Sequence, residues 1–145
     1  MHNYIYIPCD TCESMNRASL DRLEKKPVCS FCRSRLPIAR PLELIGEQFD
    51  KVVVNSGVPV LVEFYAEGHS HGPTIEETLA DLACSMHGCV LVARVNVQEA
   101  PELAVKLKLK EVPTLVLFQD GRECFRKAGR TDPETIQTVV DRIWM

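Results

Sequence analysis

No apolar run in the chain approaches the roughly 20 residues that span a bilayer. The first ten residues, MHNYIYIPCD, lack the basic flank and long apolar stretch of an export signal. Both absences point to a cytoplasmic protein without a membrane partner. No internal repeat or low-complexity segment interrupts the sequence. A third absence is chemical. Phe64 to Glu77, FYAEGHSHGPTIEE, follows the apolar Val60-Leu61-Val62 and leads into a helical pattern, yet it holds no cysteine. Strand-to-helix turns in α/β domains collect ligands and catalytic groups, because strand ends and the helix's N–H groups converge there. This turn offers His69 and His71 instead.

The 145 residues allow one full domain plus a small module, and an apolar share of 46% suffices for a core. Charge is unevenly divided: residues 1–40 carry a formal +3 and residues 41–145 a formal −6. The acidic body argues against a nucleic-acid partner. Seven cysteines in a chain without an export signal are expected to be mostly reduced.

Four of them fall into two C-x-x-C pairs, Cys9-Asp-Thr-Cys12 and Cys29-Ser-Phe-Cys32. A two-residue gap lets one tight turn aim both sulfurs at a single ion, and two such turns complete a tetrahedron. The spacing predicts one structural Zn²⁺ in a zinc ribbon spanning residues 1–40. The alternative is four reduced cysteines, or a redox dithiol, with no metal. Ile5, Ile7, Leu20, Leu23, Val28 and Phe31 could hardly stabilise this segment alone, so a metal supplies the missing folding energy. Four thiolates on Zn²⁺ leave the head at +1, with Lys25, Lys26, Arg33 and Arg35 as partial compensation for the cluster.

Pro37 and Pro41 bracket a stiff connector to the main domain, residues 41–145. Leu42, Leu44, Ile45, Phe49, Val52 and Val53 suggest a short helix. Val58–Ala66 and Val90–Val97 read as buried strands, with Ile75, Leu79, Leu82, Ala83 and Met86 at helical spacing between them. Thr74-Ile75-Glu76-Glu77 reads as a capping box, with Pro73 resisting an earlier start, which leaves His69 to Gly72 as loop. Pro101 opens another helix, Thr114–Gln119 is a strand, Asp120-Gly121 a hairpin turn, and Thr131-Asp132-Pro133 starts a final helix. The expected order is β-α-β-α-β-β-α around a mixed central sheet flanked by helices.

That order, with VLVEFYA at residues 60–66, Val112-Pro113-Thr114, Phe118-Gln119-Asp120-Gly121 and Gly129, resembles the thioredoxin family over residues 42–144. Cys9-x-x-Cys12, Asn16-Arg17, Cys29-x-x-Cys32 and Leu36 are similar to the ribbon of the zinc-binding bacterial thioredoxins, the thioredoxin-2 type. The resemblance implies a thioredoxin fold acting in the cytoplasm on protein disulfides. It also implies a cis-proline at Pro113 and a substrate groove lined by Val112, Pro113, Thr114 and Gly129. Family members react through W-C-G-P-C, and here Gly68, His69, Ser70, His71 and Gly72 occupy that stretch. A two-residue slide onto Gly72-Pro73 puts His71 and Thr74 at the cysteine positions, still without a thiol. The family's proton-relaying aspartate and its lysine partner correspond to Glu63 and Arg94, a pair better suited to structure than to proton transfer.

Several readings stay open at the sequence level. His69 and His71 are either solvated loop residues, the ligands of a second metal, or a general base. Cys84 and Cys89 either pair reversibly or are buried or half-buried thiols, and Cys124 has no sequence partner. Val112-Pro113-Thr114 either receives an extended polypeptide partner by strand addition or only shapes the fold. The leading expectation is a zinc-ribbon thioredoxin-like protein that has lost dithiol catalysis and binds polypeptides. A protein-disulfide oxidoreductase using Cys84, Cys89 or Cys124 is the enzymatic alternative.

Overall fold

A computed structural model describes residues 3–86 and 88–143. Near the N-terminus, β1 (Tyr4–Pro8) and β2 (Met15–Ser19) form a two-stranded antiparallel ribbon, followed by a short 3-10 helix (Leu20–Lys25). The main body continues as β3 (Leu42–Leu44), α1 (Gly46–Val54), β4 (Val60–Tyr65), α2 (Pro73–Ser85), β5 (Leu91–Asn96) and α3 (Pro101–Lys106). It closes with β6 (Thr114–Gln119), β7 (Arg122–Ala128) and α4 (Pro133–Ile143). The sheet order is β3-β5-β4-β6-β7; β3, β5 and β4 run parallel, and β6 and β7 are antiparallel.

The period-two pattern of β4 sorts the layers. Val60, Val62 and Phe64 join a core with Phe49, Val52 and Val53 of α1 and Leu103 of α3. Leu61 faces the other way, into a core with Ile75 and Leu79 of α2 and Ile136, Val139 and Val140 of α4. Ile5, Ile7, Leu23 and Leu36 of the N-terminal segment belong to the first of these cores. The backbone Gly57 N–H donates to Tyr4 O at 2.9 Å, and Lys51 Nζ lies 4.3 Å from the Tyr6 ring centre. The ribbon is thereby continuous with the main core.

Two sequence expectations change. Residues 42–44 form an edge strand, not the start of a helix; three residues are too few for a period of two to stand out. Helix α2 starts at Pro73, one residue before the expected capping box, because proline's fixed φ and missing N–H suit the first helical position. Gly72 is its N-cap, at φ 88° and ψ 178°, a conformation restricted in practice to glycine. His69 to Gly72 do lie outside the helix. At the hairpin, Asp120 and Gly121 both take positive φ, the geometry a two-residue antiparallel turn requires.

Candidate functional site

Strand register alone assembles the first part of the site. Glu43 of β3 and Glu63 of β4 both stand opposite Arg94 of β5. One row across three parallel strands therefore reads carboxylate, guanidinium, carboxylate. Arg94 Nε donates to Glu63 Oε1 at 2.7 Å and Nη1 to Glu43 Oε1 at 2.8 Å. From the first turn of α2, Glu76 Oε1 accepts from Nη2 at 3.4 Å. The guanidinium also lies 4.1 Å from the Tyr65 ring centre, and the Tyr65 hydroxyl donates to Glu43 Oε2 at 2.9 Å. Burial and the neighbouring Glu43 push the Tyr65 hydroxyl up to about 12. The expected Glu63–Arg94 pair is present, and Glu43 joins it because β3 is a strand.

The turn after β4 completes the site. Ala66 N–H donates to His69 O at 3.3 Å and His69 N–H to Ala66 O at 2.8 Å, a tight reversal with Gly68 at φ 78°. His69 is left exposed. His71, by contrast, points inward: its side chain and that of Glu63 are both 0% exposed, with Nδ1 2.7 Å from Glu63 Oε2. Of the readings open for the two histidines, a solvated loop residue fits His69 and fails for His71. A polar residue in a glycine-flanked loop reads as solvated, whereas its partner lies eight positions back, inside a strand. Burial would push the Glu63 carboxyl up, but hydrogen bonds from His71 and Arg94, with the Arg94 charge, hold it below the ordinary carboxylate range. Nδ1 donates to that carboxylate, and Nε2 is buried without a hydrogen-bond partner among the described residues.

The peptide bond between Val112 and Pro113 is cis. Gly129 N–H donates to Pro113 O at 2.8 Å and Thr114 Oγ1 to Glu111 O at 2.7 Å, which joins the four residues expected to line a groove at one end of the β6–β7 ladder. The Val112 N–H and C=O have no hydrogen-bond partner among the described residues.

Cys84 and Cys89 are exposed, not buried or half-buried, because Cys84 falls outside the buried set Ile75, Leu79, Leu82 and Ala83 of α2; Cys124 is exposed as well. Cys84 lies near the far end of α2, about 18 Å along the helix from Gly72 at 1.5 Å per residue. Cys89 follows in the turn before β5, and Cys124 Sγ sits 3.4 Å from Gln119 Oε1 on the hairpin. His87 lies outside the described residues.

At the other end of the chain, the sulfurs of Cys9, Cys12, Cys29 and Cys32 lie within 4.8 Å of one another. Among the described residues it is these four that converge as metal-capable side chains; His69 and His71 belong to no such group. The donor set fits a metal. Cys9 and Cys29 are buried, and backbone N–H groups of Thr11 and Phe31 point at their sulfurs at 3.4 Å. Backbone N–H donation from Cys32, with the Asn16 amide and Phe31 N–H, brings the Cys29 thiol down to about 6 against the opposing effect of burial. Among the described residues, Lys25, Lys26, Arg33 and Arg35, expected to compensate the cluster, make no hydrogen bond to its four sulfurs.

Asn16 is buried beside the cluster. Its Nδ2 donates to Cys29 Sγ at 3.4 Å and to Ser14 O at 3.1 Å, while Oδ1 accepts from Ser30 N–H at 3.0 Å. It thus ties both cysteine turns together. Replacing Asn16 with alanine is expected to lower metal affinity about 10- to 100-fold, the usual effect of losing an outer-shell partner. Competition against a chromophoric chelator measures this, and unchanged affinity would remove Asn16 from that role.

A mixed sheet with helices on both faces, a strand-to-helix turn after β4 and a cis-proline at the head of β6 define the class as thioredoxin-fold. The thioredoxin family profile matches residues 40–142, and the chain belongs to the thioredoxin family. Thioredoxin C-3 of Corynebacterium nephridii is 27% identical over 136 residues, covering 94% of this chain and 93% of that protein. An alignment of that length necessarily includes much of the N-terminal segment. A probable thioredoxin-2 of Caenorhabditis elegans is 33% identical over 101 residues, 67% of each chain. In structure, a point-mutant thioredoxin from Halobacterium salinarum superposes with a TM-score of 0.65 at 28% identity, over 73% of this chain and 92% of that one.

Proposed function

We propose that this thioredoxin homologue has lost dithiol exchange and binds extended polypeptides, as a chaperone-like or adaptor module, along Val112, Pro113, Thr114 and Gly129. On this reading residues 1–40 are a ribbon holding one structural Zn²⁺, residues 41–145 are the thioredoxin-like domain, and the protein works in the cytoplasm, where its thiols stay reduced. The observation that carries the reading is His71, locked on Glu63 in the turn where the family places its cysteines. Exchange needs a thiolate to attack a disulfide and a second thiol to release the mixed disulfide. An imidazole supplies neither sulfur. The unpartnered backbone of Val112 supports the binding half, since an added strand needs an exposed N–H and C=O. The four-thiolate set supports zinc, because tetrahedral sulfur sites favour that ion.

Insulin reduction by dithiothreitol is the test. The zinc-loaded chain is expected to precipitate insulin no faster than dithiothreitol alone. Thioredoxin-like turnover would overturn the reading, and its loss on replacing Cys84, Cys89 or Cys124 with serine would assign the activity to that thiol.

A further inference from the structure

The ribbon and the linker enclose a second surface that shares no residue with the groove at Pro113. Between the 3-10 helix and residues 37–40 lies a cleft of about 560 Å³, within the size range of small-ligand and side-chain pockets. Leu23, Leu36 and Pro37, all buried in the fold, line it together with the half-buried Ile38. Charged side chains also line it: Lys26, Arg35 and Arg40, with Glu24 as the single acid. Arg40 is engaged by Asp10. Lys26 and Arg35 have no side-chain partner among the described residues.

Backbone structure fixes where those two cations stand. Lys26 caps the 3-10 helix at φ 54°, its N–H bonded to Leu23 O at 3.2 Å. Val28 and Arg35 form an antiparallel bridge, and Leu36 N–H donates to Pro27 O at 3.0 Å. The segments carrying Lys26 and Arg35 therefore run side by side along an apolar floor. An apolar recess bordered by unpaired cations is complementary to an apolar group with carboxylates on either side.

We propose that this cleft docks an acidic polypeptide segment, one aliphatic side chain entering over Leu23 and Leu36 and flanking Asp or Glu carboxylates pairing with Lys26 and Arg35. The extended chain supplies what the recess lacks: a single apolar anchor held between two negative charges at fixed spacing. Charge pairs at such a rim set the association rate and its salt dependence, and the anchor sets the residence time. The docking is independent of the groove and of the missing thiols.

The test uses the full metal-loaded chain, labelled with nitrogen-15, and a synthetic probe peptide, Ser-Asp-Glu-Asp-Leu-Glu-Asp-Glu-Ser. The probe is expected to shift the amides of Leu23, Lys26, Leu36 and Ile38 saturably, with weaker binding as salt is raised. Lys26→Glu combined with Arg35→Glu is expected to weaken binding by about tenfold or more, with the spectrum of the main domain unchanged. A probe with serine in place of its leucine is expected to bind several-fold more weakly. Absence of saturable shifts at these amides would overturn the proposal, as would equal binding by the double variant. Shifts at Val112, Thr114 and Gly129 in their place would assign the peptide to the groove. Dodecanoate moving the cleft amides while the peptide does not would make this a small-amphiphile site and sink the docking of a polypeptide.

Discussion

Replacing Arg94 with alanine is expected to cost about 3 kcal/mol of folding stability, read as a shift in urea midpoint. The figure is the lower end of the range for removing one partner of a buried ion pair. Glu63 would remain fully buried, with His71 as its last donor. Glu43 and Glu76 would simultaneously lose their shared counter-charge, and Tyr65 its stacked guanidinium. Acid reports on the same pair. In the native chain the Glu63 carboxyl is held below its ordinary value. Its contribution to stability is therefore full above the unfolded value, near 4.3, and is lost as pH falls through the folded one. Without Arg94, burial pushes the carboxyl up, and protonation in acid then relieves the variant. The gap between the two proteins should narrow as pH falls from 7 toward 4. A gap below about 1 kcal/mol at neutral pH, the worth of an exposed pair, would show that the row is not the keystone its geometry implies.

Stripping the metal is expected to have the larger effect, though a more local one. Structural zinc supplies on the order of 10 kcal/mol to small cysteine-ligated modules at neutral pH. Phe31 is 73% exposed and Val28 45% exposed, so the ribbon's own apolar residues contribute little beyond Ile5, Ile7 and Leu23. Chelation should collapse the amide dispersion of β1, β2 and the 3-10 helix while β4, β5 and β6 keep theirs. Loss of Ile5, Ile7 and Leu36 from the core they share with Val52 and Val53 should lower the melting temperature of the remainder too. Elemental analysis is expected to give one zinc per chain. Unchanged spectra in a chain verified as metal-free would refute a structural metal, and two zinc ions per chain would return His69 and His71 to consideration.

Much of this was legible in the sequence. Apolar runs placed β4, β5 and β6, and helical spacing placed α2 and α4, nearly to the residue, because each element is long enough to show its pattern. The cysteine spacing located the metal-competent cluster, since a C-x-x-C turn carries its own geometry. Glu63 and Arg94 were visible only through resemblance to a family, as nothing local marks two residues 31 positions apart as partners. The short strand β3 was hidden by its length, and with it the role of Glu43. His71 was read as solvated because burial of a loop imidazole depends on a carboxylate supplied by another element. The cleft at Lys26 and Arg35 had no sequence signal beyond an excess of positive charge. It exists because the linker folds back over the 3-10 helix.

The last strand of the sheet bears on how the protein behaves in concentrated solution. Strand β7 is seven residues long and, among the described residues, pairs only with β6 and leaves its outer edge without a strand partner. Such an edge is a template on which a second chain can add and polymerise. Here Arg122, Glu123, Arg126 and Lys127 put four charges on seven residues, and Arg126 reaches across to the carbonyls of Leu107 and Lys108. An incoming strand would have to bury several of those charges. The open edge is thus protected against self-assembly by composition, not by a covering element.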